Sequence, residues 1–176
     1  MAKTFSKVFV LDASLLKGAG GPDKIDNKSI KCREFLEAMR RICHRAILTP
    51  EIREEWDKHQ SIFASEWRVK MHLIRKIVPR SIVPDDSMRT SILEAAPDQH
   101  VARIMLKDAR LIEAARAADL IVVSLDDAAR KHFSDVSVQI VVLKHICWIN
   151  PNVKSNHYIK WMEAGAKPLD IHKLGR

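Results

Sequence analysis

The chain has 176 residues, 47% of them hydrophobic and 30% charged, and its 30 Lys and Arg against 22 Asp and Glu give a formal net charge of +8. That length suits one packed domain, and the positive balance points to a polyanionic partner, nucleic acid first. No apolar run reaches the ~20 residues that cross a bilayer, Asp12 interrupts the first apolar stretch where a secretory signal would stay apolar, and Cys32, Cys43 and Cys147 lack disulfide or zinc spacing; a cytoplasmic protein with reduced thiols is expected.

In chain order, residues 8–11 read as a strand apolar on both faces. Residues 17–27, "KGAGGPDKIDN", are a loop by composition. Cys32, Phe35, Met39 and Ile42 then recur at helical spacing, predicting a helix over about residues 28–45, and "AILTP" is a second strand closed by a turn. Thr49 and Pro50 are a good helix start, with Thr49 as N-cap and Pro50 at the first helical position. The apolar stripe Ile52, Trp56, Phe63, Trp67, Met71, Ile74 and Val78 predicts one long helix continuing to about residue 78, broken by "VPRSIVPDD". A weak amphipathic segment over 87–96 and a stronger helix over about 98–118 follow, then the strand "LIVVSLDD", a short helix "AARKHF" and the apolar runs "VQIVVL" and "ICWI". Apolar strands alternating with helices predict an α/β fold, a parallel sheet with helices on both faces. Residues 151–176 form an appended tail with one short helix.

Ligand-handling groups of such a sheet gather beyond the carboxyl ends of its strands, and two acids fall there: Asp12 after the first strand and Asp126 after "VVSL". Ser124, two residues before Asp126, shares its side of an extended chain, while Asp127 points away and suits plain helix capping. In "LTPEIREEW", Glu55 lies about −60° from Ile52 at 100° per residue, flanking the buried stripe, whereas Glu54, at about 200°, faces solvent. Asp108 lies on the helix whose apolar positions are Leu111, Ile112, Ala115 and Ala118, a pattern that has no need of an acid. Asp12, Glu55, Asp108 and Asp126, without ligand-spaced His or Cys, form a donor set for a hard divalent cation, Mg²⁺ or Mn²⁺. In a basic protein that set fits phosphodiester hydrolysis, with the carboxylates as metal ligands and local base. Arg53, Lys58, Arg110, Arg130 and Lys131 lie on segments near the acidic edge and are the candidate RNA-binding cations. Tyr158, Trp161, Lys154 and Lys160 of the tail suit either base stacking or packing of the tail on the body or a second subunit.

The order of these elements resembles the PIN-domain nucleases, which include VapC-type toxins and RNA-processing endonucleases. The resemblance spans about residues 7–150. It rests on an apolar strand into D-x-S (Asp12, Ser14), "TPEIREEW" (Glu55), "DARLIEAA" (Asp108) and "VVSLDD" (Ser124, Asp126), with Asp108 and Asp126 separated by 18 positions. It implies a three-layer α/β/α domain over 1–150 with a five-stranded parallel sheet in the order 3-2-1-4-5, followed by a C-terminal extension over 151–176. It further implies a Mg²⁺- or Mn²⁺-dependent endoribonuclease with Asp12, Glu55, Asp108 and Asp126 as catalytic metal ligands and Ser14 and Ser124 in support. RNA is the implied substrate, and an antitoxin-like protein or a second copy of the chain is a candidate partner. The long helix after Glu51 and the tail depart from the compact toxin form and suit a free-standing RNA-processing enzyme as well. Other phosphate-handling folds fit less well: a haloacid-dehalogenase-type enzyme wants D-x-D where this chain has D-A-S, "KGAGGPDK" lacks the G-K-[ST] of a P-loop, and a receiver domain wants an acid pair at the first strand. The remaining alternative is a PIN-like module that binds RNA or protein without cutting.

Overall fold

The computed structural model describes residues 6–153 and 157–175. Five short apolar runs become strands: β1 (Val8–Leu11), β2 (Arg45–Leu48), β3 (Ile77–Pro79), β4 (Ile121–Val123) and β5 (Cys147–Ile149). All pair in parallel in the order β3-β2-β1-β4-β5, with Val10 facing both Ile47 and Val122 across the central strand. The helices are α1 (Ala13–Gly18), α2 (Asn27–Arg41), α3 (Pro50–His59), α4 (Ile62–Leu73), α5 (Asp86–Ala95), α6 (Gln99–Arg116), α7 (Asp127–Val136) and α8 (Tyr158–Glu163). They flank the sheet in the expected three-layer α/β/α arrangement. Phe9, Val10, Leu11, Val122, Val123 and Trp148 are fully buried, as a sheet covered on both faces requires.

The long helix expected over 49–78 is instead two helices and a strand. Gln60 is extended (φ −61°, ψ 141°), and the Ser61 side chain accepts from Ala64 N at 3.2 Å, capping a new helix. The apolar stripe survives the break because α3 and α4 each bring a tryptophan inward, Trp56 and Trp67, whose rings lie 6.4 Å apart. α4 then stops in a Schellman arrangement, with Lys76 N donating to Met71 O and Arg75 N to His72 O, and Arg75 takes the left-handed conformation (φ 56°) in which glycine is usual. Chain released by that stop supplies β3, a strand that periodicity alone merges into the helix.

Smaller departures occur elsewhere. A six-residue helix, α1, follows Asp12 directly, and α2 ends at Arg41 rather than near residue 45. Of the two late apolar runs only the second is a strand; Val141–His145 is a 3-10 turn with Val141 60% exposed. Tyr158 is buried, Trp161 packs its ring 5.8 Å from Phe9, and His44 Nε2 lies 2.8 Å from Met162 O, so the tail helix α8 rests on the body. Lys154 lies outside the described residues. A bridge between Cys147 and Lys173 lays the C-terminal segment antiparallel along β5. Among the described residues no helix is long and apolar enough to cross a membrane.

Candidate functional site

β1 ends by delivering Asp12 to the carboxyl edge, where its backbone N–H donates to Val123 O at 2.9 Å and continues the pairing with β4. Asp12 precedes α1, yet its side chain caps nothing. Its Oδ2 instead accepts from two hydroxyls, Ser14 Oγ at 2.5 Å and Ser124 Oγ at 2.8 Å. Each hydroxyl also accepts one backbone N–H of the turn into α7, Ser14 Oγ from Leu125 N and Ser124 Oγ from Asp126 N, both at 3.0 Å. The two serines thus spend their single protons on one carboxylate and their lone pairs on the segment carrying the next acid.

Glu55 stands on α3, whose start is set by the Thr49 cap (Ile52 N to Thr49 Oγ1, 3.2 Å) and Pro50. One residue on, the buried Trp56 donates its indole N–H to Leu11 O at 2.9 Å, so the residue after Glu55 is hydrogen-bonded to the residue before Asp12. Periodicity marks Trp56 as core; the signal for this tether is that a buried indole N–H needs an acceptor.

Asp108 enters from α6. Burial first, and then the charges of Asp12 and Asp126, push its carboxyl up to about 6 against the pull of Arg110. Asp126 is exposed and also caps α7, accepting from Ala129 N at 2.8 Å. The capping role expected of Asp127 therefore belongs to Asp126, and Asp127 accepts from Asn150 Nδ2 at 3.0 Å.

All four acids line one cavity of about 340 Å³, together with Ser14, Lys17, Lys107 and Arg110. No family model matches this chain, and no curated protein matches it. The geometry of the cavity is therefore what speaks for its chemistry. An all-carboxylate donor set suits Mg²⁺ or Mn²⁺, and the charges of Asp12 and Asp126 that add to burial in lifting Asp108 are what a dication would offset. Among the described residues, however, no three His, Cys, Asp or Glu are already grouped to hold an ion, so the acids would have to draw in around it.

The cations sort differently from expectation. Only Arg110 of the five lies in the cavity, 3.8 Å from Glu55 Oε2 and 3.9 Å from Asp108 Oδ1, with its Nε buried and unpartnered. Lys58 pairs with Glu54 at 2.7 Å and Lys131 with Asp135 at 2.6 Å, both one helical turn apart. Arg53 lies 3.7 Å from Asp57, and Arg130 donates to Ile171 O at 3.4 Å. Arg53 and Lys58 instead line a larger concavity on the other side of α3. Lys17 and Lys107 are the cavity's unanticipated cations; Lys107 is signalled in the sequence only as the immediate neighbour of Asp108.

Proposed function

We propose that the protein is a Mg²⁺- or Mn²⁺-dependent endoribonuclease of the PIN type. The observation that carries this reading is the convergence of Asp12, Glu55, Asp108 and Asp126, from four separate segments, on one cavity at the carboxyl edge of the sheet. These four residues would hold the ion, which supplies Lewis acidity toward a phosphoryl oxygen and a more acidic water. Ser14 and Ser124 aim Asp12, since both donate to one of its oxygens and leave Oδ1 to a ligand. Trp56 holds α3, and so Glu55, at a set distance from β1. Arg110, Lys107 and Lys17 offset the charge of an incoming phosphodiester at the rim of the carboxylate cluster.

A non-cleaving RNA-binding module is the second reading. Its support is Arg110, which already lies against Glu55 and Asp108 and partly answers their charge. Incubation of the purified protein with total RNA and Mn²⁺, followed by mapping of new 5′ ends, separates the two. Cleavage at defined positions that is lost in Asp12→Asn, with binding retained, is the expected result. RNA left intact at all Mn²⁺ concentrations would retire the nuclease reading in favour of the module.

A further inference from the structure

Next to the acidic cavity lies a second depression of about 630 Å³, and the two share Ser14, Lys17 and Asp126 in their walls. Its floor is the loop "KGAGGPDKIDN", of which only Lys17 also lines the acidic cavity, and its cations are Lys17, Lys24 and Lys28. Among the described residues none of these three exposed ammonium groups enters an ion pair or a side-chain hydrogen bond, unlike Lys58 and Lys131, which are held by acids of their own helices. Asp26, the acid within the loop, is engaged in capping α2 through Ser29 N at 2.9 Å.

The loop is held in shape from below. Arg33, nearly two turns into α2, donates to three of its carbonyls, Ala19 O at 2.9 Å, Gly21 O at 3.0 Å and Lys24 O. Gly20 has φ +64°, a left-handed conformation that favours glycine, and the Lys24 stem packs close over it, 2.9 Å from where a Cβ would stand. A Cβ on Gly18 would meet Leu125 Cδ1 at 2.6 Å, which shows how closely the loop is set against the residue preceding Asp126. A pinned loop, unpaired lysines and a shared wall with the carboxylates together make a preorganised polyanion seat. None of the residues lining it is aromatic, so bases have nothing to stack on.

We propose that Lys17, Lys24 and Lys28 in this groove seat consecutive phosphates of the RNA strand on one side of the bond to be cut, without reading its bases. The inference rests on the RNA-cleaving reading for its substrate. It is tested on the whole protein in EDTA, where binding proceeds without metal, by fluorescence anisotropy with labelled oligo-U and oligo-C RNA of equal length over a salt series. Three lost phosphate contacts should flatten the slope of log K against log salt by about 2, at ~0.7 per contact for a single strand, and weaken binding about a hundredfold at ~0.1 M salt.

That loss is expected for Lys17→Gln/Lys24→Gln/Lys28→Gln, equally for both oligonucleotides. It is not expected for Arg45→Gln/Lys70→Gln/Lys167→Gln, which removes the same charge from exposed positions elsewhere. Lys24→Gln alone, at an exposed site, should flatten the slope by about 0.7. Equal slopes for the groove triple and wild type, a strong preference for one oligonucleotide, or no RNA binding by wild type would each overturn the inference. The Mn²⁺ cleavage assay is scored separately: wild type that binds through the groove and never cuts retains the seat and loses the nuclease, whereas wild type that cuts while the groove triple keeps the wild-type slope does the reverse.

Discussion

Replacing Asp108 by asparagine should make the metal-free protein more stable at neutral pH. Folding raises this carboxyl from its ordinary 3.8 to about 6, with burial the leading cause and Asp12 and Asp126 next. Because the folded state holds the proton more tightly, the carboxyl leaves stability intact below about pH 3.8, lowers it progressively as pH rises, and exacts its full cost above about pH 6. The rise corresponds to about 3 kcal/mol at ~1.36 kcal/mol per pH unit, an upper figure since the cavity admits some solvent. The neutral amide introduced by Asp108→Asn carries no such cost and keeps the shape of the side chain. Urea denaturation in EDTA at about pH 4 and pH 8 should therefore show Asp108→Asn gaining on wild type between the two by up to about 3 kcal/mol, other groups cancelling in the comparison. Added Mn²⁺ should reverse the order at the higher pH by stabilising wild type more. A variant that is less stable than wild type at the higher pH in EDTA, or whose difference from wild type is the same at both pH values, would refute the claim that burial, with the charges of Asp12 and Asp126 beside it, penalises the ionised Asp108.

Trp56→Phe removes the donor to Leu11 O in a fully buried setting and should cost about 1–3 kcal/mol by urea titration; under the nuclease reading it also lowers cleavage at temperatures where the protein remains folded. Ser124→Ala strips a buried hydroxyl that both donates to Asp12 and accepts from Asp126 N, and a loss of about 1–3 kcal/mol is expected in the same measurement, with weaker Mn²⁺ binding by calorimetry. Ser61→Ala deletes the cap that starts α4 and should cost about 1 kcal/mol in thermal melts while leaving Mn²⁺ affinity unchanged.

The central strand and its acid were legible because core packing alone gives no reason to end a fully apolar run on a lone carboxylate, and Glu55 was separable from Glu54 by helical angle alone. The division of the helix after Thr49 was not legible. Its stripe runs in phase through the break, Gln60 and Ser61 carry no proline or glycine, and the stop at Arg75 is a Schellman turn whose left-handed residue is an arginine. Choosing between Asp126 and Asp127 as cap depended on where β4 ends, a boundary of one or two residues that periodicity does not resolve. The cations show the opposite case: Glu54–Lys58 and Lys131–Asp135 stand four apart on helices, so their mutual neutralisation was readable and bore directly on which charges remain for the proposed polyanion. Lys24 sits in a loop whose path is set by Arg33 and Lys28 in the first turn of α2, and no local pattern announces either as a groove residue.

The two margins of the sheet are finished in different ways with one result. β3 is three residues long and closes on Pro79, which offers no N–H for a further strand. At the other margin Lys173 bridges Cys147, the first residue of β5, in the antiparallel sense and covers that end of its outer edge. Among the described residues a foreign chain, or a neighbouring copy, therefore meets only a short hydrogen-bonding row at either margin. If, as proposed, the lysine-rich groove gathers long polyanions and with them other copies of the protein, short and partly covered margins would keep that crowding from seeding strand-to-strand aggregation.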